Sequence, residues 1–347
     1  MKAAVVTDAK NIEVRDVNKP ESDGRNVIVK TQTVGICGGD IHVWEMGDQP
    51  TYKGTVMGHE HAGIVVDPGA RSDLRPGDRV TTIPVSVGCG VCTACLEHRF
   101  LECEHRVSGM GLSAAGLPGS YAEYFTADPS LVRKIPDNMT NEEAAMVEPC
   151  ATPYSVVKDM GIKRGDKVLV FGCGIIGSFS AQWSKYFGAD YVAMVEVNEF
   201  RGKKNLADGN IDELFDGKDP ELLGKLLKAS GGKGFDYVLE CTGHAEPLNT
   251  AMMASKMYAR IAVIGVSVKP IAFNNVVALF KRARLQAYLG YSNEEFDEVM
   301  KLIAEKKFDV SRHYSGGCSL ESLNEVFEEL HSPTSQKVKM MIQFPRD

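Results

Sequence analysis

Val168-Leu169-Val170-Phe171-Gly172-Cys173-Gly174-Ile175-Ile176-Gly177-Ser178 is the stretch that decides the fold. Four apolar residues read as a buried strand, Gly-x-Gly-x-x-Gly as a tight turn, and 178–187 as the helix the turn opens. In that order the glycines let a pyrophosphate come close to the helix N-terminus, where free N–H groups and the helix dipole favour an anion. Gly172, Gly174, Ile175, Ile176 and Gly177 are therefore candidate dinucleotide-binding residues. An acidic residue is expected about 20 positions further on. Glu196 answers, closing a second apolar run at 191–195. A carboxylate there takes the adenosine ribose hydroxyls and repels a 2′-phosphate, so NAD is expected rather than NADP. Arg201, five residues later, is the counterweight, since a cation softens that exclusion.

Outward from this unit the texture repeats. Apolar runs return at 237–239, 261–264 and 285–289 with helical segments between, and a weaker one lies at 211–215. Alternating strand and helix predicts an α/β, doubly wound parallel sheet. Thr242-Gly243 and Gly265-Val266 fall at strand ends where the nicotinamide half belongs; ordinary strand-end turns are the competing reading. Upstream, residues 1–150 are rich in Gly and Val, with short apolar runs at 27–30, 62–66 and 80–83 broken by Pro68-Gly69 and Pro76-Gly77, which predicts a β lobe. After 291 come two amphipathic helices, 294–304 and 320–330, and a final strand at 338–344, a tail able to return to the first lobe. The expected domains are 1–153, completed by 291–347, and 154–290.

Composition narrows the class. The chain has 347 residues, 44% hydrophobic and 24% charged, with a formal net charge of -7. An acidic surface disfavours nucleic acid and anionic membranes as partners. No apolar run reaches the length of a membrane span, and the N-terminus turns polar at Thr7, so a cytoplasmic protein is expected.

Four of the nine cysteines, Cys89, Cys92, Cys95 and Cys103, fall within fifteen residues. In a reducing compartment, clustered thiols mean metal before disulfide. Four thiolates close a tetrahedral zinc site and leave no position for substrate, so this zinc is structural. A redox pair lacks the surrounding βαβ pattern, and the adjacent Glu97, Glu102 and Glu104 disfavour a nucleic-acid-binding ribbon. A second set lies in Gly35-Ile36-Cys37-Gly38-Gly39-Asp40-Ile41-His42 and Gly58-His59-Glu60. Zinc that does chemistry needs about three protein ligands and a replaceable fourth. Cys37, His59 and a carboxylate supply them, with Glu60 and Glu148 both open as the third. A satisfied core Cys or His is the competing reading of each residue taken singly.

Gly-Ile-Cys37-Gly-x-Asp40-x-His42, Gly58-His59-Glu60-x-x-Gly63, Pro76-Gly77-Asp78-Arg79-Val80, the four-cysteine spacing, Tyr121-Ala122-Glu123-Tyr124 and Glu148-Pro149 occur in that order. Together they resemble the zinc-dependent medium-chain dehydrogenase/reductase family, above all its sorbitol (iditol), sugar-acid and threonine dehydrogenase branch. The likeness covers essentially the whole chain. It implies a GroES-like β-rich catalytic domain beside a Rossmann domain, two zincs per subunit, and assembly as a homodimer or homotetramer. By position it implies Cys37 and His59 as zinc ligands, Glu60 as a direct or exchangeable ligand, and Glu148 in the third-ligand position, often bound through water. Asp40 matches a residue that orients the ligand histidine.

Two residues depart from the family pattern. Gly39 stands where the family usually carries Ser or Thr, whose hydroxyl starts the substrate proton on its way to a histidine at the position of His42. Gly290 stands where sorbitol dehydrogenases usually carry an arginine near the substrate. The expected reaction is reversible oxidation of a secondary alcohol of a polyol, sugar acid or related sugar derivative. A threonine- or butanediol-type dehydrogenase with the same machinery is the alternative, and a zinc-binding scaffold without turnover is the non-enzyme rival. Lys281-Arg282-Ala283-Arg284 reads as a solvated strand entry, and His61 as near the zinc by adjacency alone. His98, His105, His244, His313 and His331 have no partner legible in the sequence.

Overall fold

The computed structural model describes residues 1–84, 89, 91–97, 102–105 and 109–345. The chain divides into two compact units. One comprises Met1–Pro149, Ser292–Ser332 and Lys339–Asp347; the other comprises Cys150–Tyr291 and Pro333–Val338. The handover falls at Pro149 rather than at 153, and six residues of the tail join the second unit.

The second unit carries one parallel six-stranded sheet. Its order is Glu213–Asp216, Tyr191–Glu196, Lys167–Phe171, Phe235–Glu240, Ser255–Val263, Arg284–Ala287. The central strands bury their runs at 168–171 and 238–239, as near-continuous apolar runs require. The order reverses beside Lys167–Phe171, and a doubly wound sheet binds ligands at the carboxyl ends of its strands there. The strand expected at 285–289 stops at Ala287, and Leu289 lies exposed beyond it.

The first unit holds a seven-stranded sheet built around Val27–Gly35. That strand pairs antiparallel with Glu60–Asp67 on one side and with Lys339–Gln343 on the other. The tail does return to the first lobe, and its closing strand lies directly beside the cysteine-bearing segment. Its core joins Val34, Trp44, Phe327 and Ile342, with the Trp44 and Phe327 rings edge to face at 5.7 Å. The lobe is not purely β. Helix Gly38–Glu45 begins immediately after Cys37, which caps it, and Asp40 closes a capping box. Two glycines in the eight residues masked this helix in the sequence.

Candidate metal centres and nucleotide site

The first centre is assembled from neighbouring strands. Gly35 pairs with Glu60 across the sheet, so Cys37 just beyond Gly35 and His59 just before Glu60 are brought together. Ligand atoms of Cys37, His59 and Glu60 lie within 4.8 Å of one another. His59 and Glu60 are buried. Glu148 opens the helix Val147–Met160 and adds to the field at His59 and Lys339, but does not belong to that close group.

Among the described residues, three buried atoms here have no hydrogen-bond partner: Asp40 Oδ1, His59 Nδ1 and Glu60 Oε1. Such atoms are costly unless something satisfies them. Asp40 Oδ1 and His59 Nδ1 face each other at 3.6 Å, so a small shift pairs them. The other Asp40 oxygen is fixed: it accepts from the Tyr121 hydroxyl at 2.7 Å and from the Cys37 backbone N–H at 3.0 Å. Gly58 makes room for the Tyr121 ring, which a Cβ there would meet at 2.4 Å. Burial opposes charge on His59, yet Asp40 and Cys37 carry it well above the usual histidine range. Burial likewise pushes the Cys37 thiol up, against the pull of His59. A buried thiol, an imidazole and a carboxylate crowded together, with Glu60 Oε1 left unsatisfied, suit a divalent ion of zinc's ligand preference.

Sequence reasoning missed the fourth charged group. Lys339, 1% exposed, donates to Glu60 Oε2 at 2.5 Å and to the Ile36 carbonyl at 2.9 Å. Burial works against its ammonium, but Glu60 and Cys37 hold it above the ordinary lysine range. Its signal was a lysine opening the apolar run Lys339-Met340-Met341-Ile342.

His42 sits in the last turn of the short helix, partly exposed, with Nδ1 3.6 Å from Glu45 Oε2. The same carboxylate lies 3.5 Å from His331. His61 does not join the ligand group: its ring is bound by Ser120 at 3.0 Å and Thr82 at 2.7 Å. His98 lies outside the described residues.

The second centre gathers the four clustered cysteines, whose sulfurs lie within 4.8 Å of one another. Cys92 and Cys95 are 3.4 Å apart, Cys89 and Cys95 3.9 Å. A tetrahedral ion with bonds of about 2.3 Å needs sulfurs about 3.8 Å apart. Backbone N–H groups point at the thiols: that of Cys89 donates to Cys103 and that of Cys92 to Cys89, each at 3.3 Å. The Cys95 N–H lowers the Cys92 thiol to about 6, and the Cys89 N–H lowers Cys103.

In the second unit, the strand Lys167–Phe171 runs through Gly172 (φ +94°) into helix Ile175–Tyr186, whose N-cap is Gly174. A Cβ on Gly177 would lie 1.9 Å from the Gly172 carbonyl, so the third glycine sets how closely helix meets strand. Glu196 ends the next strand. One of its oxygens accepts from the Cys173 N–H at 2.5 Å, the other from Val197 and Asn198 N–H at 2.7 and 2.8 Å. A cavity of about 360 Å³ opens here, lined by Gly172, Gly174, Glu196, Arg201, Thr242 and His244. Arg201 is anchored through Nε to the Lys337 carbonyl at 3.0 Å. Thr242-Gly243 and Gly265-Val266 pack back to back: a Cβ on Gly243 would meet the Val266 carbonyl at 2.2 Å, and one on Gly265 the Gly243 nitrogen at 2.1 Å. Buried Glu240, also missed from sequence, ties the turn by accepting from the N–H groups of Thr242 (2.6 Å) and Gly243 (3.1 Å).

Known proteins share these features. Residues 23–137 match the alcohol dehydrogenase GroES-like domain, and 176–305 the zinc-binding dehydrogenase domain. L-arabinitol 4-dehydrogenase of Hypocrea jecorina is 31% identical over 91% of this chain and 85% of its own. Sorbitol dehydrogenase of Halalkalibacterium halodurans is 26% identical over 97% of this chain and 98% of its own. The crystal structure of 2R,3R-butanediol dehydrogenase from Bacillus subtilis superposes with a TM-score of 0.87 at 27% identity, covering 99% of each chain. With a GroES-like unit, a Rossmann unit and the thiol, imidazole and carboxylate groups in place, this chain belongs to the zinc-binding alcohol dehydrogenase family and is an oxidoreductase that works with zinc and a nicotinamide cofactor.

Proposed function

We propose that the protein oxidises a secondary alcohol of a polyol, sugar acid or related sugar derivative, reversibly and with NAD, as a cytoplasmic homo-oligomer holding two zincs per subunit. The observation that carries this reading is the buried group Cys37, His59 and Glu60, within 4.8 Å of one another and with Glu60 Oε1 unsatisfied among the described residues. Cys37, His59 and Glu60 would hold the catalytic ion, with Glu148 the carboxylate available from the neighbouring helix. Cys89, Cys92, Cys95 and Cys103 would hold the structural one. Zinc supplies Lewis acidity that makes an alcohol hydroxyl acidic, and the nicotinamide ring supplies the hydride acceptor.

The chain's own residues do the positioning. Asp40, fixed by Tyr121 and the Cys37 N–H, orients His59 so that one ring nitrogen is left for the ion. Gly172, Gly174, Ile175, Ile176 and Gly177 receive the pyrophosphate; Glu196 takes the adenosine ribose hydroxyls with Arg201 beside it. Thr242, Gly243, Gly265 and Val266 border the nicotinamide half. His42, backed by Glu45 at the helix end, is the exit for the proton. The polyol and sugar-derived substrate class is suggested by the arabinitol and sorbitol dehydrogenases that the chain resembles, and the butanediol dehydrogenase keeps a smaller diol as the second reading.

The test is a reduced-cofactor absorbance screen of polyols, sugar acids, sugar phosphates, butanediol and threonine, each with NAD and NADP. Turnover of a polyol or sugar acid with NAD is expected. Activity on threonine or butanediol alone would replace the substrate class, and no turnover in a protein loaded with both zincs would favour a scaffold.

A further inference from the structure

Glu60 and Lys339 belong to strands on opposite sides of Val27–Gly35, yet their side chains meet. Glu60 pairs with Gly35 on one side, and Met341 pairs with Gly35 on the other. The Glu60 carboxylate crosses over Gly35 to reach Lys339, passing where any other residue would put a side chain: a Cβ on Gly35 would lie 2.1 Å from Glu60 Oε2. Lys339 is as buried as its partner, at 1% against 0% exposure for Glu60. Its second hydrogen bond, to the Ile36 carbonyl, fastens the peptide that leads into Cys37. One carboxylate oxygen is thus occupied, while the other, Oε1, is buried with no hydrogen-bond partner among the described residues, on a carboxylate that comes within 4.8 Å of the Cys37 and His59 ligand atoms.

We propose that Lys339 is a positioning residue for the catalytic zinc, a latch that, across the gap left by Gly35, keeps one oxygen of Glu60 so that the ion receives only the other. The inference rests on the zinc reading above. A buried ammonium and a divalent ion compete for one carboxylate, and each weakens the other's hold on it. With Lys339 in place, Glu60 is a one-oxygen ligand that can be let go, which leaves the fourth position exchangeable. Without the ammonium, both oxygens are free for the ion and a like charge is gone from its surroundings. The latch therefore trades affinity for exchange, and removing it should tighten metal binding. A purely structural lysine predicts the reverse, since its loss would loosen the ligand segment at Ile36 and weaken binding.

The experiment is zinc affinity by competition with a chromophoric chelator on the full chain. Cys37→Ser reports the four-thiolate site alone and so isolates the second equivalent. Lys339→Met should hold that equivalent about ten- to hundredfold more tightly than wild type, the usual reach of groups one step from the ion. Lys339→Arg should stay near wild type. In the Glu60→Gln background Lys339→Met should gain clearly less, since only the loss of a like charge remains there. Cobalt(II) in the wild-type centre should change its visible spectrum on adding alcohol, and in Lys339→Met it should not. If Lys339→Met fails to fold, Lys339→Gln removes the charge while leaving a neutral donor that the ion can displace, and carries the same expectation in direction with a smaller gain. Equal or weaker zinc binding in the uncharged variant overturns the inference, as does an equal gain in the Glu60→Gln background. Absence of a second equivalent in wild type would instead overturn the zinc reading itself, and the inference with it.

Discussion

One neighbour decides what Gly39 can tolerate. A Cβ there would lie 3.7 Å from Cys37 Sγ, an ordinary contact, and the residue sits in the helix Gly38–Glu45 with no left-handed backbone. The gap is therefore chemical rather than steric, and Gly39→Ser should fold normally. The substrate proton still has to leave. We propose a water in the space beside Gly39 with His42 as the exit; the rival is Glu148 acting alone. A positioned acid/base is typically worth about 10²–10⁴-fold. His42→Ala should therefore lower kcat by about tenfold or more, most at low pH, and Gly39→Ser should change kcat little. Steady-state rates across pH decide this: an unaffected His42→Ala would leave only Glu148, and a strong rise in kcat for Gly39→Ser would make the glycine a defect. Gly290 differs, because its φ of +71° means that the arginine usual in sorbitol dehydrogenases would sit there under backbone strain. His61 gives a pH prediction. Burial, with His59 nearby, lowers it to about 3. The unfolded chain then takes up a proton that the folded chain refuses, so stability is full above about 6.5, the ordinary histidine value, and drains as pH falls towards 3. Melting temperatures from pH 7 to 4 should fall less steeply in His61→Gln than in wild type, and parallel curves would reject this role.

At the scale of elements, the motifs set by short-range geometry were legible and the long-range ones were not. The strand–glycine–helix stretch at 167–186 and the four-cysteine loop each carry their chemistry within about twenty residues, so spacing alone exposes them. Lys339 reaches Glu60 across 279 positions and Tyr121 reaches Asp40 across 81; neither pairing leaves a local pattern. Gly35 reads as an unremarkable strand end until the sheet places Glu60 and Lys339 on its two flanks. The helix after Cys37 was hidden because its glycines argue against helix while its cap argues for it. The local elements make their own predictions. Cys95 is the buried thiol inside Thr93–Leu96 and approaches both Cys92 and Cys89. Cys95→Ser should therefore depress the melting temperature and metal content far more than the kcat of the surviving folded protein. Unchanged melting and metal content would remove the closed-site reading. Glu196 is already held by three backbone N–H groups, a pose that fixes its carboxylate at the strand end. Glu196→Ala should raise the KM for NAD and narrow its advantage over NADP, as kcat/KM with both cofactors would report. A wild-type preference for NADP would reject Glu196 as the discriminator and leave Arg201 in charge.

For the whole molecule, the two proposed metal centres fall in the same unit, Met1–Pro149 with its C-terminal returns, while the nucleotide residues fall in Cys150–Tyr291. The two proposed zincs would nevertheless have different work. Four clustered thiolates bring the ligands of a closed site together, and small structural sites of this kind are worth roughly 10–16 kcal/mol of apparent binding energy. Cys37, His59 and Glu60 instead sit on strands already paired by the sheet, with Lys339 supplying a positive charge beside them. That centre folds without needing its ion to the same degree. Metal analysis of wild type should thus give two zincs per chain, and His59→Ala should give one, with activity lost and melting temperature nearly kept. A graded chelator titration should follow the same division: the first zinc removed takes activity with it, and the second takes the fold. A wild-type protein with a single zinc and full activity would sink the two-site reading. Simultaneous loss of both ions and of structure would instead mean that the strand-borne centre depends on its metal as heavily as the cysteine loop does.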